Sequence, residues 1–286
     1  MSVDRNSGRI GVHGSSSDSP VVEAMENLLN FPKPTEYVDL PSAGSFYPEG
    51  HPLEGANTVE INFMTGKEED MLTNVEYIRR GVAIDKVLQS LVPSEINVNQ
   101  LLSADKSALV IAARATAYTN EYKTQVTCPS CGDATTFAFD LEKTNVYQGY
   151  TEDDPTELNV ARLEGSQFSI TLPLTEVVVK VKLLTGEDEK RMFDIVTSDK
   201  KKNKSLNSVS SDTLKQIVVS VNDIDDTETI KFFLESAPAA DLAFLREKYK
   251  MLNPSIDLKQ DYACGACGYE EEVEPPIGID FLYPRS

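Results

Sequence analysis

The stretch VTCPSCGDATTF, residues 126–137, carries Cys128 and Cys131, and ACGACGYEEEV, residues 263–273, carries Cys264 and Cys267. These four are all the cysteines of a 286-residue chain. Position 264 lies 136 beyond 128 and position 267 lies 136 beyond 131, so one pair repeats the other at a constant shift. Each Cys-x-x-Cys-Gly reads as a knuckle, in which two thiolates converge while the glycine takes the tight, often left-handed turn behind them. The flanks YKTQV and TTFAFDL read as the arms of a hairpin. One knuckle offers two ligands, whereas a closed structural zinc site takes four. The two histidines, His13 and His51, sit in Gly/Pro-rich segments near the N-terminus and do not fit as the missing pair. Cys128, Cys131, Cys264 and Cys267 are therefore expected to hold one structural zinc ion as a four-thiolate site, a zinc ribbon split between two distant segments. An Fe–S centre or redox thiols are the alternatives, and paired disulfides would be unusual in a reducing compartment. Lys123 and Lys259, at equivalent positions, are candidates to offset thiolate charge; read blandly, they are solvated lysines.

Working outward, the shift of 136 also sets Ala104 on Ala240, Asp105 on Asp241, Leu109 on Leu245 and Lys123 on Lys259. A second match precedes it. VEINFMTGKEEDML, from Val59, aligns with VVKVKLLTGEDEKRM, from Val178, at a shift of 120, which superposes Thr65-Gly66 on Thr185-Gly186. Both copies alternate apolar and polar residues as half-buried strands do. Thr-Gly then turns the chain, and an acidic stretch opens a helix, where carboxylates favour the positive end of the dipole. Each copy begins near a Leu-Pro, Leu40-Pro41 and Leu172-Pro173. The second has about sixteen more residues, for which the polar stretch TSDKKKNKSLNSVSSD, residues 197–212, is the natural place.

The expected fold class is α+β, two degenerate tandem repeats joined by the split zinc ribbon. The expected organisation is a flexible tail with a short helix over residues 1–35, a first unit over 36–147, a linker over 148–166 and a second unit over 167–286. Ser19 and Pro20 would start the tail helix, with Val22, Met25, Leu28 and Leu29 on one face.

Charge narrows the partners. With 27 basic and 46 acidic side chains the chain carries a net charge of −19. Such a surface repels nucleic acid and anionic lipid, so neither direct DNA binding nor membrane attachment is expected. No apolar run approaches the ~18 residues of a membrane span, and the N-terminal segment lacks the apolar stretch of a secretory signal. A soluble protein of a reducing cytoplasm is the default. The catalytic signatures are missing: there is no P-loop, no Gly-x-Gly-x-x-Gly after a strand, no Gly-x-Ser-x-Gly and no His-Glu-x-x-His. The acidic runs, including DIDDTE (Asp223 to Glu228), read as solvated faces, and the basic clusters Arg79-Arg80 and Lys200 to Lys204 as exposed loops. The chain is read as not an enzyme.

A resemblance sharpens this. Pro41, Ser42, Gly44, Tyr47 and Pro48 form a Pro-Ser-x-Gly-x-x-Tyr-Pro start. Glu69, Leu72 and Asn74 follow in an acidic helix; Leu101, Leu102, Asp105 and Arg114 in a later one; then come Cys128, Cys131 and Gly132. In this order they resemble the T-even-type bacteriophage baseplate hub and hub assembly protein family, closely over residues 38–145 and more distantly to 286. The resemblance implies a non-enzymatic component of a contractile tail whose partners are other tail and baseplate proteins. Its place would be the virion tail baseplate, or the host cytoplasm during assembly. The second unit lacks the Pro-Ser-x-Gly-x-x-Tyr-Pro opening and has APAAD in place of Leu-Leu-x-x-Asp. A zinc-ribbon regulator that binds nucleic acid or a polymerase is the competing reading.

Overall fold

The computed structural model describes residues 34–150, 159–201 and 209–283. The expected tail helix and part of the expected linker lie outside these residues, and so does most of the Lys200 to Lys204 cluster. Strands β1 (Thr35–Asp39) and β2 (Thr58–Asn62) pair antiparallel, with Val38 opposite Val59. Helices α1 (Gly66–Thr73), α2 (Val75–Arg79) and α3 (Ala83–Leu91) follow, then a 3-10 turn (Val98–Gln100) and α4 (Ser103–Ala117). The first cysteine hairpin is β3 (Glu121–Thr127) with β4 (Ala134–Asp140), and β5 (Asn145–Tyr147) comes after it. The next sheet has the order β6-β7-β8-β9, from β6 (Val160–Arg162), β7 (Gln167–Thr171), β8 (Val178–Lys182) and β9 (Val218–Val221). Between β8 and β9 lie α5 (Gly186–Lys201) and α6 (Val209–Ile217). The chain continues with α7 (Thr227–Ser236), α8 (Ala239–Leu252), β10 (Ser255–Asp257), the second cysteine hairpin of β11 (Gln260–Ala263) and β12 (Glu270–Val273), and α9 (Ile279–Leu282). The class is α+β, with helices beside several small antiparallel sheets.

The two halves repeat local hydrogen bonding. Ile170 faces Val179 in the β7–β8 pair as Val38 faces Val59 in β1–β2. The Leu40 N–H donates to the Asn57 carbonyl at 2.8 Å, and the Leu172 N–H to the Val177 carbonyl at 2.9 Å. The expected Thr-Gly turns are helix starts. Thr65 caps α1 in a reciprocal box with Glu68, whose Oε2 accepts from the Thr65 N–H and Oγ1. Asp188 Oδ2 accepts from the Thr185 N–H and Oγ1 in the same way. A carboxylate three residues into the helix satisfies the exposed N–H, which explains the acidic residues there. The two glycines differ. A Cβ on Gly186 would lie 2.9 Å from the Val98 carbonyl oxygen, whereas Gly66 faces open space.

A second repeated feature is a buried aspartate on a helix that grips the loop after Leu-Pro. Asp105 is fully buried and accepts from the Ser42 N–H at 2.9 Å, Ser42 Oγ at 2.6 Å and Tyr47 Oη at 2.7 Å. Asp241, also fully buried, accepts from the N–H groups of Leu174 and Thr175 at 3.0 and 3.1 Å and from Thr175 Oγ1 at 2.7 Å. The APAAD segment thus supplies the equivalent aspartate, Asp241, despite its different sequence.

The halves interlock. Between them, the Ser103 N–H donates to the Leu184 carbonyl and the Gly186 N–H to the Leu101 carbonyl, both at 2.9 Å. Strand β10 pairs with β5, so late residues complete an early sheet. One core draws Leu72, Leu88 and Leu109 together with Phe168, Val179 and Leu245. From Thr35 onward the described residues pack as one compact unit. Helix α4 touches β1, α3, α5, β10 and α9, which is why it is buried on more than one face.

Candidate metal centre

Each knuckle closes in the same way. In the first hairpin Thr127 faces Ala134, the Cys128 N–H donates to the Asp133 carbonyl at 2.8 Å and the Gly132 N–H to the Cys128 carbonyl at 2.9 Å. In the second, Ala263 faces Glu270, the Cys264 N–H donates to the Tyr269 carbonyl at 2.8 Å and the Gly268 N–H to the Cys264 carbonyl at 2.9 Å. Gly132 and Gly268 sit at φ of 76° and 73°, the left-handed region that a side chain disfavours. The turn places both cysteines of each pair at the tip of its hairpin.

Side-chain contacts then set the hairpins against each other. Gln260 joins β11 to the end of β4, its Nε2 donating to the Asp140 carbonyl at 2.7 Å and its Oε1 accepting from the Asp140 N–H at 3.0 Å. Tyr262 is buried, meets Phe137 edge-on at 5.7 Å, and its Oη lies 3.4 Å from Thr135 Oγ1. With Cys128 and Cys264 it forms a small apolar cluster flanked by Val126, Phe137 and Val273.

The result brings all four sulfurs within 4.8 Å of one another. Cys128 Sγ lies 3.8 Å from Cys267 Sγ, and Cys131 Sγ lies 3.7 Å from Cys264 Sγ. Thiolates at ~2.3 Å around one tetrahedral ion stand about 3.8 Å apart, so the donor set fits a single four-coordinate metal. Cys128 and Cys264 are buried, Cys131 and Cys267 exposed. Backbone N–H groups of Cys267 and Ala266 draw the Cys264 thiol down to about 6. At Cys131 the Asp133 N–H acts in the same direction, but hydrogen bonding with the sulfurs of Cys267, Cys128 and Cys264, together with burial, pushes the thiol up to about 12. Sulfurs this close share protons, since four thiolates side by side repel unless a cation stands among them.

Of the two lysines named as candidates, Lys123 is committed to a carboxylate. Its Nζ pairs with Glu121 Oε2 at 3.0 Å. His51 is no ligand either: its Nδ1 accepts from the Leu53 N–H and its ring stacks on Tyr47 at 4.4 Å. In DIDDTE, Asp226 caps α7 and Asp223 pairs with Lys180. Among the described residues the four cysteines are the one cluster of ligating side chains close enough to hold a metal. Sequence reasoning aligned Asp105 with Asp241 but gave them no task. The usable signal was a Leu-Pro matched with an aspartate at a similar spacing in both halves.

Residues 35–282 match the family model described as T4 bacteriophage base plate protein. The chain belongs to this family. No match was found among curated proteins or solved structures. Membership makes it a structural protein of the phage tail baseplate, built to assemble with other baseplate proteins. In this baseplate protein the Pro41–Pro48 motif is an internal clamp, because Ser42 and Tyr47 both spend their hydrogens on Asp105. No described helix of the baseplate protein is long and apolar enough to cross a membrane.

Proposed function

We propose that this baseplate protein is a non-enzymatic component of the baseplate hub, or a factor in assembling it, stapled by one structural zinc ion on Cys128, Cys131, Cys264 and Cys267. The observation that carries the reading is the gathering of four sulfurs from segments 136 residues apart within 4.8 Å. Bound there, zinc supplies folding free energy and leaves no open coordination position for chemistry. The residues do the rest: the two glycine turns aim the sulfurs, while Gln260 and Tyr262 align the hairpins. Zinc is preferred over an iron–sulfur cluster because a cluster spreads its thiolates over several metal atoms, whereas these sulfurs already stand at single-ion spacing.

The chain is read further as a tandem duplication, with units at 36–147 and 167–286 joined by the segment 148–166. The matched strand registers, the two carboxylate-capped helix starts, the two aspartate clamps and the two knuckles support this. A staple joining both ends of a doubled chain suits a part that must transmit force or hold its shape during assembly.

Metal analysis of purified protein is the test, combined with mass spectrometry of purified phage particles. The expected result is one zinc per chain, with a melting temperature that falls on chelation and recovers when zinc is restored. Metal-free protein with full stability would overturn the zinc reading. Detection in purified particles would support a hub component, and detection only in infected-cell lysate an assembly factor.

A further inference from the structure

Basic side chains are outnumbered in this chain, and many are committed to acids. Arg79 pairs with Glu76, Lys182 with Asp188, and Arg191 with both Glu187 and Asp188. Arg80, Lys86 and Lys190 are different. Among the described residues their side chains have neither an ion-pair nor a hydrogen-bond partner, and all three line one cleft of about 440 Å³. The cleft lies where the turn after α2, helix α3, the 3-10 turn and α5 meet, so both halves of the chain build it.

Its charge is set from beneath. The acid in the lining, Asp85, is held by Lys106 Nζ at 2.7 Å, and the same ammonium holds Glu189 Oε2 at 2.9 Å. Lys106 is 12% exposed, so its attraction for the two carboxylates is weakly screened, and it offsets one of their two charges. One negative charge of that trio remains against the three cations Arg80, Lys86 and Lys190, so the cleft keeps a positive balance on a protein of net charge −19. Low-dielectric walls concentrate that positive field.

We propose that this cleft docks an acidic segment of a partner protein in the baseplate. A short run of carboxylates can meet Arg80, Lys86 and Lys190 together, and Tyr77 and Asn99 add polar groups for the segment's backbone. A nucleic acid fits less well, because its phosphates continue along the strand and a protein of net charge −19 repels them overall. The inference rests on baseplate membership and uses no cysteine, so its failure would leave the metal staple untouched.

The test is fluorescence anisotropy with full-length protein and a labelled oligoglutamate peptide at low ionic strength. Saturable binding that weakens as salt is raised is expected. The Lys86→Glu/Lys190→Glu double variant should weaken it by about 25-fold, from two lost contacts of roughly fivefold each. The Lys123→Glu/Lys143→Glu double variant makes the same net charge change away from the cleft and should leave binding within about twofold of the parent. Lys86→Gln/Lys190→Gln provides a milder version if the reversals disturb folding, with melting temperature as the check. No saturable binding, or equal weakening by both double reversals, would overturn the proposal. So would an oligothymidylate that binds more tightly than oligoglutamate and is lost with the same cleft substitutions.

Discussion

Replacing Asp105 with alanine removes the acceptor that holds the loop after β1 onto α4. Three donors are released: the Ser42 N–H, Ser42 Oγ and Tyr47 Oη. Hydrogen bonds to a charged group contribute about 1.5–3 kcal/mol each, a gross of roughly 5–9 kcal/mol. Part of that is offset, because burying a carboxylate costs several kcal/mol. Burial holds the Asp105 carboxyl above its ordinary range despite the hydrogen bonds from Ser42 and Tyr47. Two of the released groups are hydroxyls that can turn, and Tyr47 Oη still accepts from the Leu102 N–H. The Ser42 N–H is left buried and unpaired, at a cost of about 1–3 kcal/mol. The net loss comes to about 3–4 kcal/mol, which for a chain of this size lowers the melting temperature by about 10 °C. Asp105→Asn should cost less, since its amide oxygen still accepts from Ser42 while both hydroxyls rotate to accept from its nitrogen. Thermal melts and urea titrations followed by circular dichroism provide the measurement. An Asp105→Ala protein that melts within about 2 °C of the parent would refute the clamp.

Three further outcomes are expected. Cys128→Ser and Cys264→Ser should each cost about 3–5 kcal/mol, and the double variant little more than either, because loss of any ligand disables one shared site; additive losses would mean two separate sites. Gly44→Ala should destabilise by about 3 kcal/mol or more in denaturant titrations: φ is 69°, and a Cβ there would lie 2.3 Å from the Ala56 nitrogen and 2.6 Å from the Leu53 oxygen. Asp241 is penalised by burial, but hydrogen bonds from Thr175 and Leu174 outweigh this and hold its carboxyl below the ordinary 3.8. Its stabilisation is therefore present above that value and lost as pH falls through the lower folded value. Asp241→Asn should lower the melting temperature at neutral pH and flatten its decline below pH 3.8; an unchanged acid limb would count against the second clamp. Asp105 has the opposite sign. Its raised carboxyl contributes stability that is full below its ordinary value and lost as pH rises through the folded value.

Much of the candidate site was legible because its information is local. A Cys-x-x-Cys-Gly turn carries its own geometry, and the constant shift of 136 residues between the pairs already implied that they belong together. The strands β2 and β8 were readable from alternation, and the acidic helix starts from residues three apart along the chain. What remained hidden depends on groups distant in sequence. Nothing in VEINF or VVKVK indicates that the Gly186 N–H reaches the Leu101 carbonyl or that β10 completes a sheet with β5. Asp105 and Asp241 could be aligned by eye, yet their task appears only when a helix start packs against a loop more than sixty residues away. Lys123 misled for the same reason: sequence proximity does not say which carboxylate an ammonium will meet, and Lys123 meets Glu121. Sequence alone settles short-range features, since turns, caps and alternation follow from backbone sterics. Which surfaces meet, and so where Lys106 bridges Asp85 and Glu189 beside a cleft lined by Arg80, Lys86 and Lys190, is decided by packing the whole core at once.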